Sequence, residues 1–388
     1  MGEMATVTWT EEGQSHQARW LSESGAPAPR QLLPVDDRTR ANDAYGLAGQ
    51  GTGLLWRGDF HNARQLLTAL ASRVDRHARR SGRSAGAPAA AESFHRHRQA
   101  QAQRARTLGA LLIPLEADYT IPLRRAPDAR QACLEAFGPG DGQALVSLRA
   151  LLGVIGAHQW RVKGIEVPAA GGRIHPHYGV FAPIRAEYVE LVAGAPLPAP
   201  LPAAGTAFDI GTGTGVLAAV LARRGVGHVV ATDLDPRALA CARENLARLG
   251  VAGQVELTET DLFPPGRAQL ILCNPPWLPA RPSSPLERGI YDPDSQMLRG
   301  FLGGLAGHLA PGGEGWLVLS DLAERLQLRS RAQLLELIAD AGLEVIDRSE
   351  ARPTHRKSTD AHDPLRHARA AEVTSLWRLR AAGAAVVP

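Results

Sequence analysis

Cysteine, lysine and long apolar runs are scarce or missing in this sequence. The three cysteines, Cys133, Cys241 and Cys273, form no C-x-x-C pair, which argues against a disulfide framework or a cysteine-rich zinc site and predicts a reducing, cytoplasmic setting. No apolar run approaches the ~18 residues of a membrane span, and the first residues lack the basic flank and apolar stretch of a secretory signal. We therefore expect no membrane partner.

The basic charge that is present is unevenly distributed along the 388 residues, whose net charge is +4. Residues 1–165 carry 21 Lys plus Arg against 15 Asp plus Glu, and the remainder carries 22 against 24. Between Arg73 and Arg106 there are nine arginines and only two acids. Such a stretch indicates nucleic-acid binding, but only two of the 43 basic residues are lysines, so a general preference for arginine explains it equally well.

Composition and hydrophobic spacing divide the chain into three parts. Residues 1–165 have mainly helical spacing, which predicts a helical, basic domain for substrate recognition. Residues 166–204 end in the proline-rich run APLPAPLP, which predicts a connector and lid. Residues 205–388 alternate short apolar strands with helices, which predicts an α/β fold with a Rossmann-like, doubly wound sheet of seven strands and an antiparallel strand at its end.

The first strand of this predicted sheet leads into a glycine-rich turn. Asp209 is followed by Gly211, Gly213 and Gly215, and a predicted helix begins at once. Glycines let a ligand approach the backbone closely, and the helix N-terminus offers free N–H groups. The spacing is G-x-G-x-G, with Val216 where a nicotinamide-binding loop has its third glycine, so a nicotinamide oxidoreductase is disfavoured.

Polar residues also follow the next three predicted strands. Asp233 ends the second strand, where a carboxylate can accept both hydroxyls of a ribose, and Asp261 with Leu262 closes the third. The fourth strand ends in a turn of four residues, Asn274, Pro275, Pro276 and Trp277. Ligands bind at the carboxyl ends of the strands in such sheets, so the four signals predict one site.

With these motifs, the segment from about Arg173 to Arg380 resembles the class I S-adenosylmethionine-dependent methyltransferases of the branch with an N-P-P-aromatic motif. This branch, the methyltransferase small domain, includes release-factor glutamine methyltransferases and rRNA adenine or guanine N-methyltransferases. The resemblance implies S-adenosyl-L-methionine as cofactor, with the glycine turn at its methionine end, Asp233 at its ribose and Asp261 at its adenine. It also implies that the N-P-P-W turn is catalytic.

The chemistry of methyl transfer suggests what this turn does. The methyl group of a sulfonium is already activated, so catalysis is mostly alignment of the nucleophile. Hydrogen bonds to the Asn274 side-chain oxygen and the Pro275 carbonyl would make a planar amino or amide nitrogen more nucleophilic. The prolines would stiffen the turn, and Trp277, where the family most often has Tyr or Phe, would offer a flat face to a planar base or amide.

Three further residues are predicted to contact the substrate. Arg185 and Glu187 lie in a segment that partly resembles the R-P-E-T segment of the release-factor enzymes, and Tyr291 follows the catalytic turn and is predicted to close over it. His175 and His177 could bind a metal, but no third ligand is apparent. We therefore expect these histidines to make loop or phosphate contacts, and we expect no metal site.

The residues and the resemblance leave three hypotheses for the function. The first is methylation of an adenine or guanine amino group in RNA, rRNA or tRNA, held by the basic N-terminal region and by a second basic segment at 352–369. The second is methylation of a glutamine amide in a protein, as in the release-factor enzymes. The third is a catalytically silent, RNA-binding fold, which is disfavoured because the motif residues are intact.

Overall fold

A computed structural model describes residues 5–81, 90–199, 201, 205–282, 285–353 and 365–383. Contacts within the chain separate two compact units, residues 1–159 and 160–388. No helix in the described ranges is long and apolar enough to cross a membrane.

The first unit is built around a mixed sheet of six strands. The strands are β1 (Thr6–Glu11), β2 (Gln14–Leu21), β3 (Gln31–Val35), β4 (Thr52–Trp56), β5 (Leu111–Leu115) and β6 (Ala144–Ser147). The helices are α1 (Ala41–Gly49), α2 (Phe60–Ser81), α3 (Ala90–Gly109), α4 (Arg130–Phe137) and α5 (Leu148–Lys163), the last of which runs past residue 159. The strand order is β1-β2-β6-β5-β4-β3, with β3, β4 and β5 parallel to one another.

This sheet corrects the prediction of a mainly helical N-terminal domain. The helices are present, but the unit has a sheet at its centre, and β4 and β5 are buried over their whole length. Strands that are buried on both faces read as continuous apolar runs, which hydrophobic spacing alone cannot distinguish from a buried helix. The apolar run at 108–115 illustrates this, because it contains both the end of α3 and all of β5.

The second unit contains the predicted seven-stranded sheet. A short hairpin of β7 (Ile165–Val167) and β8 (Gly172–Ile174) precedes it. The sheet strands are β9 (Thr206–Ile210), β10 (His228–Asp233), β11 (Val255–Glu259), β12 (Ala268–Cys273), β13 (Leu309–Ser320), β14 (Leu343–Ala351) and β15 (Thr374–Ala381). The helices are α6 (Glu187–Gly194), α7 (Val216–Arg223), α8 (Pro236–Arg248), α9 (Gln296–His308), α10 (Leu322–Arg325), α11 (Arg331–Asp340) and α12 (Arg366–Ala370).

The strand order β11-β10-β9-β12-β13-β15-β14 confirms the Rossmann-like, doubly wound prediction. One detail differs, because the antiparallel strand β15 lies between β13 and β14 and not at the end of the sheet. The burial patterns explain this order. The first four residues of β15 are all buried, as in an internal strand, whereas β14 has only its first residue buried and then alternates between half-buried and exposed positions.

Much of the segment predicted to be a connector and lid, residues 166–204, belongs to the core of the second unit. Val167, Ile174 and Val192 are buried in the same apolar cluster as helix α7, whose first seven residues are all buried. The prolines at its end are typical of a linker, but its earlier apolar residues pack into the core. This packing fixes the residues that follow the hairpin β7–β8 near the candidate site.

The burial of β5 predicts that two substitutions by alanine in the first unit lower the free energy of unfolding by different amounts. Ile113 is fully buried in β5, so Ile113→Ala should lower the free energy of unfolding by about 2–5 kcal/mol. Leu134→Ala on α4, where Leu134 is 44% exposed, is the control and should cost less than about 1 kcal/mol. Urea unfolding, monitored by hydrogen exchange in peptides from residues 1–159, measures both. Similar costs would contradict the buried strand.

Candidate active site

The candidate site lies at the carboxyl ends of β9, β10 and β12. In the sheet, Ile210 of β9 is aligned with Thr232 of β10 on one side and with Cys273 of β12 on the other. The next residues along these strands are Gly211, Asp233 and Asn274, so they leave the sheet side by side. Adjacent strands are about 4.8 Å apart, which places the glycine turn between the two polar side chains.

The backbone conformation of the turn favours glycine at all three positions, and two of them also lack room for a side chain. All three have positive φ values, 71° at Gly211, 55° at Gly213 and 78° at Gly215, which side chains rarely adopt. A Cβ at Gly215 would lie 3.1 Å from Ala242 on α8, and one at Gly211 would lie 2.6 Å from the Met297 side chain. A Cβ at Gly213 would meet nothing within 4 Å, so the turn is open at this point.

Asp209 lies beneath this turn and holds it. Its Oδ2 accepts hydrogen bonds from the Thr212 hydroxyl at 2.7 Å and from the backbone N–H of Ala218 in α7 at 3.1 Å. Asp209 is 1% exposed, and burial raises the pKa of its carboxyl group to about 6. The sequence predicted a cofactor contact here, but the structure places the side chain where it ties the turn to the helix.

Asp233 borders the open side of the turn. Its two carboxylate oxygens accept backbone N–H groups, one from Gly213 and one from Asp235, both at 3.0 Å. Burial raises the pKa of this carboxyl group. The following residue, Leu234, is an apolar side chain that is 61% exposed. Leu234 was not among the predicted site residues, although its position directly after the predicted ribose-binding acid could have indicated a cofactor contact.

Asp261 and Leu262 lie one strand further along the same edge. Asp261 is exposed, whereas Leu262 is half-buried. The Leu262 carbonyl accepts a hydrogen bond from the Thr232 hydroxyl at 2.7 Å, which ties this loop to the end of β10. The backbone φ at Leu262 is 62°, a left-handed conformation that turns the loop over the end of the sheet.

The N-P-P-W turn brings Trp277 into the interior. Trp277 is 7% exposed, and Phe181 contacts it edge-on with ring centroids 5.9 Å apart. The Arg185 guanidinium lies over the indole ring, 5.2 Å from its centroid. Asn274 is half-buried, and its side chain forms no hydrogen bond with any residue that the structure describes. The amide of Asn274 is therefore available to a bound group.

The predicted substrate residues Arg185 and Glu187 are part of a buried charge cluster. The Arg185 guanidinium donates two hydrogen bonds to Glu372, at 2.6 and 3.2 Å, and Glu372 also accepts one from the Ser320 hydroxyl at 2.6 Å. Glu372 is 1% exposed. Glu187 Oε1 lies 3.9 Å from the guanidinium, and burial raises the pKa of Glu187. The sequence did not predict Glu372 or Ser320, because Ser320 ends β13, Glu372 lies just before β15, and neither belongs to a recognisable motif.

Tyr291, which was predicted to close over the site, lies beside the N-P-P-W turn. A bridge joins Tyr291 to Leu278, and the Asp292 backbone N–H donates to the Leu278 carbonyl at 2.8 Å. The Asp292 carboxylate then accepts the backbone N–H groups of Met297 and Leu298 at the start of α9. This segment is thus anchored at both ends in the structure.

The two histidines contact residues of helices α5 and α8. His175 donates from Nδ1 to the Arg161 carbonyl at 2.6 Å, and His177 Nε2 lies 3.0 Å from Glu244. No group of three or more metal-binding side chains occurs in the described ranges. The basic segment predicted at 352–369 lies largely outside the described residues, since 354–364 are not among them.

Comparison with known proteins gives matches to part of the chain. Residues 172–339 match the family model described as the methyltransferase small domain. The release factor glutamine methyltransferase of Cereibacter sphaeroides is 43% identical over 122 residues, which cover 28% of this chain and 44% of that protein. The ribosomal protein L11 methyltransferase of Pelotomaculum thermopropionicum is 38% identical over 149 residues, 38% of this chain and 40% of that protein. The chain spans less than half the length of these curated relatives.

Solved structures of methyltransferases also match the chain, at lower sequence identity. A ribosomal protein L11 methylase from Lactobacillus delbrueckii subsp. bulgaricus has 20% identity and a TM-score of 0.34, covering 50% of this chain and 77% of that one. A SAM-dependent methyltransferase from Thiobacillus denitrificans, in complex with S-adenosyl-L-homocysteine, has 18% identity and a TM-score of 0.35, covering 52% and 92%.

The environment of Asp209 predicts a specific dependence of stability on pH. An unfolded aspartate titrates near 3.8 and the buried one near 6, so the stabilisation present below the first value is lost as the pH rises through the second. Asp209→Asn keeps the shape and removes this titration. Its free energy of unfolding should therefore rise relative to wild type by up to about 3 kcal/mol between pH 4 and pH 7.

Urea denaturation of both proteins at several pH values measures this difference. Asp340→Asn, at an exposed position at the end of α11, controls for the loss of a carboxylate as such. A difference between Asp209→Asn and wild type that stays constant from pH 4 to pH 7 would show that Asp209 is solvated and does not hold the turn as described.

Proposed function

We propose that this chain, whose residues 172–339 match the methyltransferase small domain model, transfers a methyl group from S-adenosylmethionine to a planar amino or amide nitrogen. The observation that carries the proposal is the alignment of β9 with β12, which sets the open glycine turn next to Asn274. A cofactor site and a nitrogen-binding turn then share one sheet edge, as a direct transfer between two bound groups requires.

The residues at this edge fit the cofactor. Gly213 leaves the turn open, and the two Asp233 oxygens accept backbone hydrogen bonds from Gly213, Asp235 and Leu234, so lone pairs remain for ribose hydroxyls. Exposed Leu234 offers an apolar surface beside Asp233, and Asp261 follows on the next strand. When bound, S-adenosylmethionine supplies a methyl group that is already activated as part of a sulfonium.

The protein's own contribution is to orient the nucleophile. The Asn274 side-chain oxygen accepts an N–H of the target nitrogen, and the Pro275 carbonyl accepts the other. These hydrogen bonds hold the nitrogen with its lone pair toward the methyl group. Pro275 and Pro276 restrict the backbone of the turn, and the packing of Trp277 against Phe181 and Arg185 fixes its position.

We propose RNA as the carrier of the target, with an adenine or guanine amino group as the acceptor. The supporting observation is the arginine-rich pair of helices α2 and α3. The two acids of this stretch are engaged within the unit, since Asp75 pairs with Arg104 at 3.0 Å and Glu92 pairs with Arg96 at 2.6 Å. Arg76 and Arg106 are exposed, so the surface keeps a positive charge that suits phosphates.

A glutamine amide in a protein is the second candidate acceptor. It is favoured by the 43% identity to a release factor glutamine methyltransferase over 122 residues. A primary amide and a base amino group both present two N–H groups on a planar nitrogen, so Asn274 and Pro275 suit either.

Two substitutions should separate cofactor binding from methyl transfer. Asp233→Ala removes a carboxylate that would bind ribose, so S-adenosylmethionine affinity should fall by roughly 10- to 100-fold. Asn274→Ala should leave this affinity within about twofold and lower the transfer rate by roughly 100-fold or more, because the nitrogen loses its orienting acceptor. Isothermal titration and radiolabel transfer measure the two quantities. No cofactor binding by the wild-type protein would refute the proposed function.

The carrier of the target can be identified by labelling. The protein is incubated with radiolabelled S-adenosylmethionine and a lysate from cells that lack the gene, and samples are then treated with ribonuclease or with protease. Label that is lost with ribonuclease and retained with protease is the expected result. The reverse pattern would replace the RNA carrier by the protein carrier, and the Asn274→Ala variant serves as the background control in both cases.

A further inference from the structure

A small cavity lies at the N-P-P-W turn, and Asn274, Trp277, Arg185 and Glu187 are among the residues that line it. Two buried polar atoms of this lining have no hydrogen-bond partner among the described residues, the indole Nε1 of Trp277 and the carboxylate Oε1 of Glu187. Buried polar groups in folded proteins are nearly always paired, and each unpaired one costs about 1–3 kcal/mol. Two such atoms around one cavity indicate a bound group that pairs with them.

The residues around Trp277 determine which part of its side chain can contact a bound group. Arg185 lies over the indole ring, and its two hydrogen bonds to buried Glu372 hold it there. Phe181 occupies another side of the ring. The flat face that the sequence suggested as a stacking surface is therefore covered at least on the side of Arg185. The unpaired indole N–H at the ring edge can only donate a hydrogen bond.

Glu187 supplies the complementary group. Arg185 is engaged with Glu372 and is 3.9 Å from Glu187 Oε1, beyond hydrogen-bond distance. Burial raises the pKa of Glu187 and the nearby Arg185 charge opposes this rise, while Oε1 has no hydrogen-bond partner among the described residues and can accept an N–H. The cavity therefore presents one donor and one acceptor, in addition to the amide of Asn274.

We propose that Trp277 and Glu187 determine the chemical class of the acceptor by pairing with one edge of it. This inference rests on the proposed function. The acceptor is then a planar group with a hydrogen-bond acceptor for the Trp277 N–H and an N–H for Glu187 close to the methylated nitrogen. An amide or an amino-substituted base has both. An alkylammonium group has three donors and no acceptor, so it leaves the indole N–H unpaired, and a carboxylate has no N–H for Glu187.

The test compares Trp277→Phe and Glu187→Gln in the full chain. Trp277→Phe keeps an aromatic ring under Arg185 and removes the N–H donor together with part of the ring volume, a loss that the control below shares. Glu187→Gln keeps the size and removes the charge. The control is Trp377→Phe on β15, which makes the same exchange at a buried tryptophan away from the cavity. The probe is the lysate fraction that the wild-type protein labels, with initial rates measured at increasing amounts of that fraction.

Each cavity variant should lower kcat/KM for this fraction by roughly tenfold or more and leave S-adenosylmethionine affinity within about twofold. Trp377→Phe should change neither quantity by more than about twofold. Hydrolysis of the labelled product should release a methylated base or a methylated amide. Wild-type rates in both cavity variants, or an equal loss of cofactor affinity and rate, would overturn the inference.

A labelled product that is a methylated alkylamine or a methyl ester would also overturn it. These outcomes are distinct from failure of the proposed function, in which the wild-type protein binds no cofactor or labels nothing. A double variant, Trp277→Phe with Glu187→Gln, adds a further check. If both residues pair with one acceptor group, its loss of kcat/KM differs from the product of the two single losses.

Discussion

The parallel pairing of β9 with β12 is the constraint on which the candidate site depends. These strands are far apart in the sequence, yet Ile210 and Cys273 are partners in the sheet, and both strands consist mostly of buried apolar residues. Because the side chains of a strand alternate between the two faces of the sheet, a shift of one residue would move each packed side chain to the opposite face. The core therefore fixes the register, and the register fixes the distance between the glycine turn and Asn274.

Asp209 and the pair of Arg185 with Glu372 are buried charged groups that hold the two turns at this sheet edge in place. Asp209 has no cationic partner among the described residues and is stabilised by hydrogen bonds from Thr212 and Ala218, so it ties the glycine turn to α7 while its pKa is raised. Arg185 is paired with Glu372 and covers Trp277. Removing one partner of such a buried pair leaves an uncompensated charge, so the pair holds the N-P-P-W turn in one arrangement.

The sequence predicted the features that local residues determine. The glycine turn, Asp233, Asp261 and the N-P-P-W turn follow directly after strands, so a linear pattern placed all of them at one sheet edge. Features that depend on tertiary packing were not accessible. The fully buried strands β4 and β5 have no alternation, and β15 enters the sheet between two strands. Glu372 lies directly before β15, so the position of β15 inside the sheet brings it to Arg185. Arg185 in turn covers a face of Trp277 that the motif alone suggested was free.

A crystal structure with S-adenosylhomocysteine tests the central claim, that the edge formed by β9 and β12 is the site of transfer, most directly. The account predicts the ribose hydroxyls at the Asp233 carboxylate, the amino-acid end at the glycine turn, and the sulfur on the side that faces Asn274. A ligand bound elsewhere, or one whose sulfur points away from Asn274, would contradict the account, because the aligned strand ends would then not bring cofactor and acceptor together.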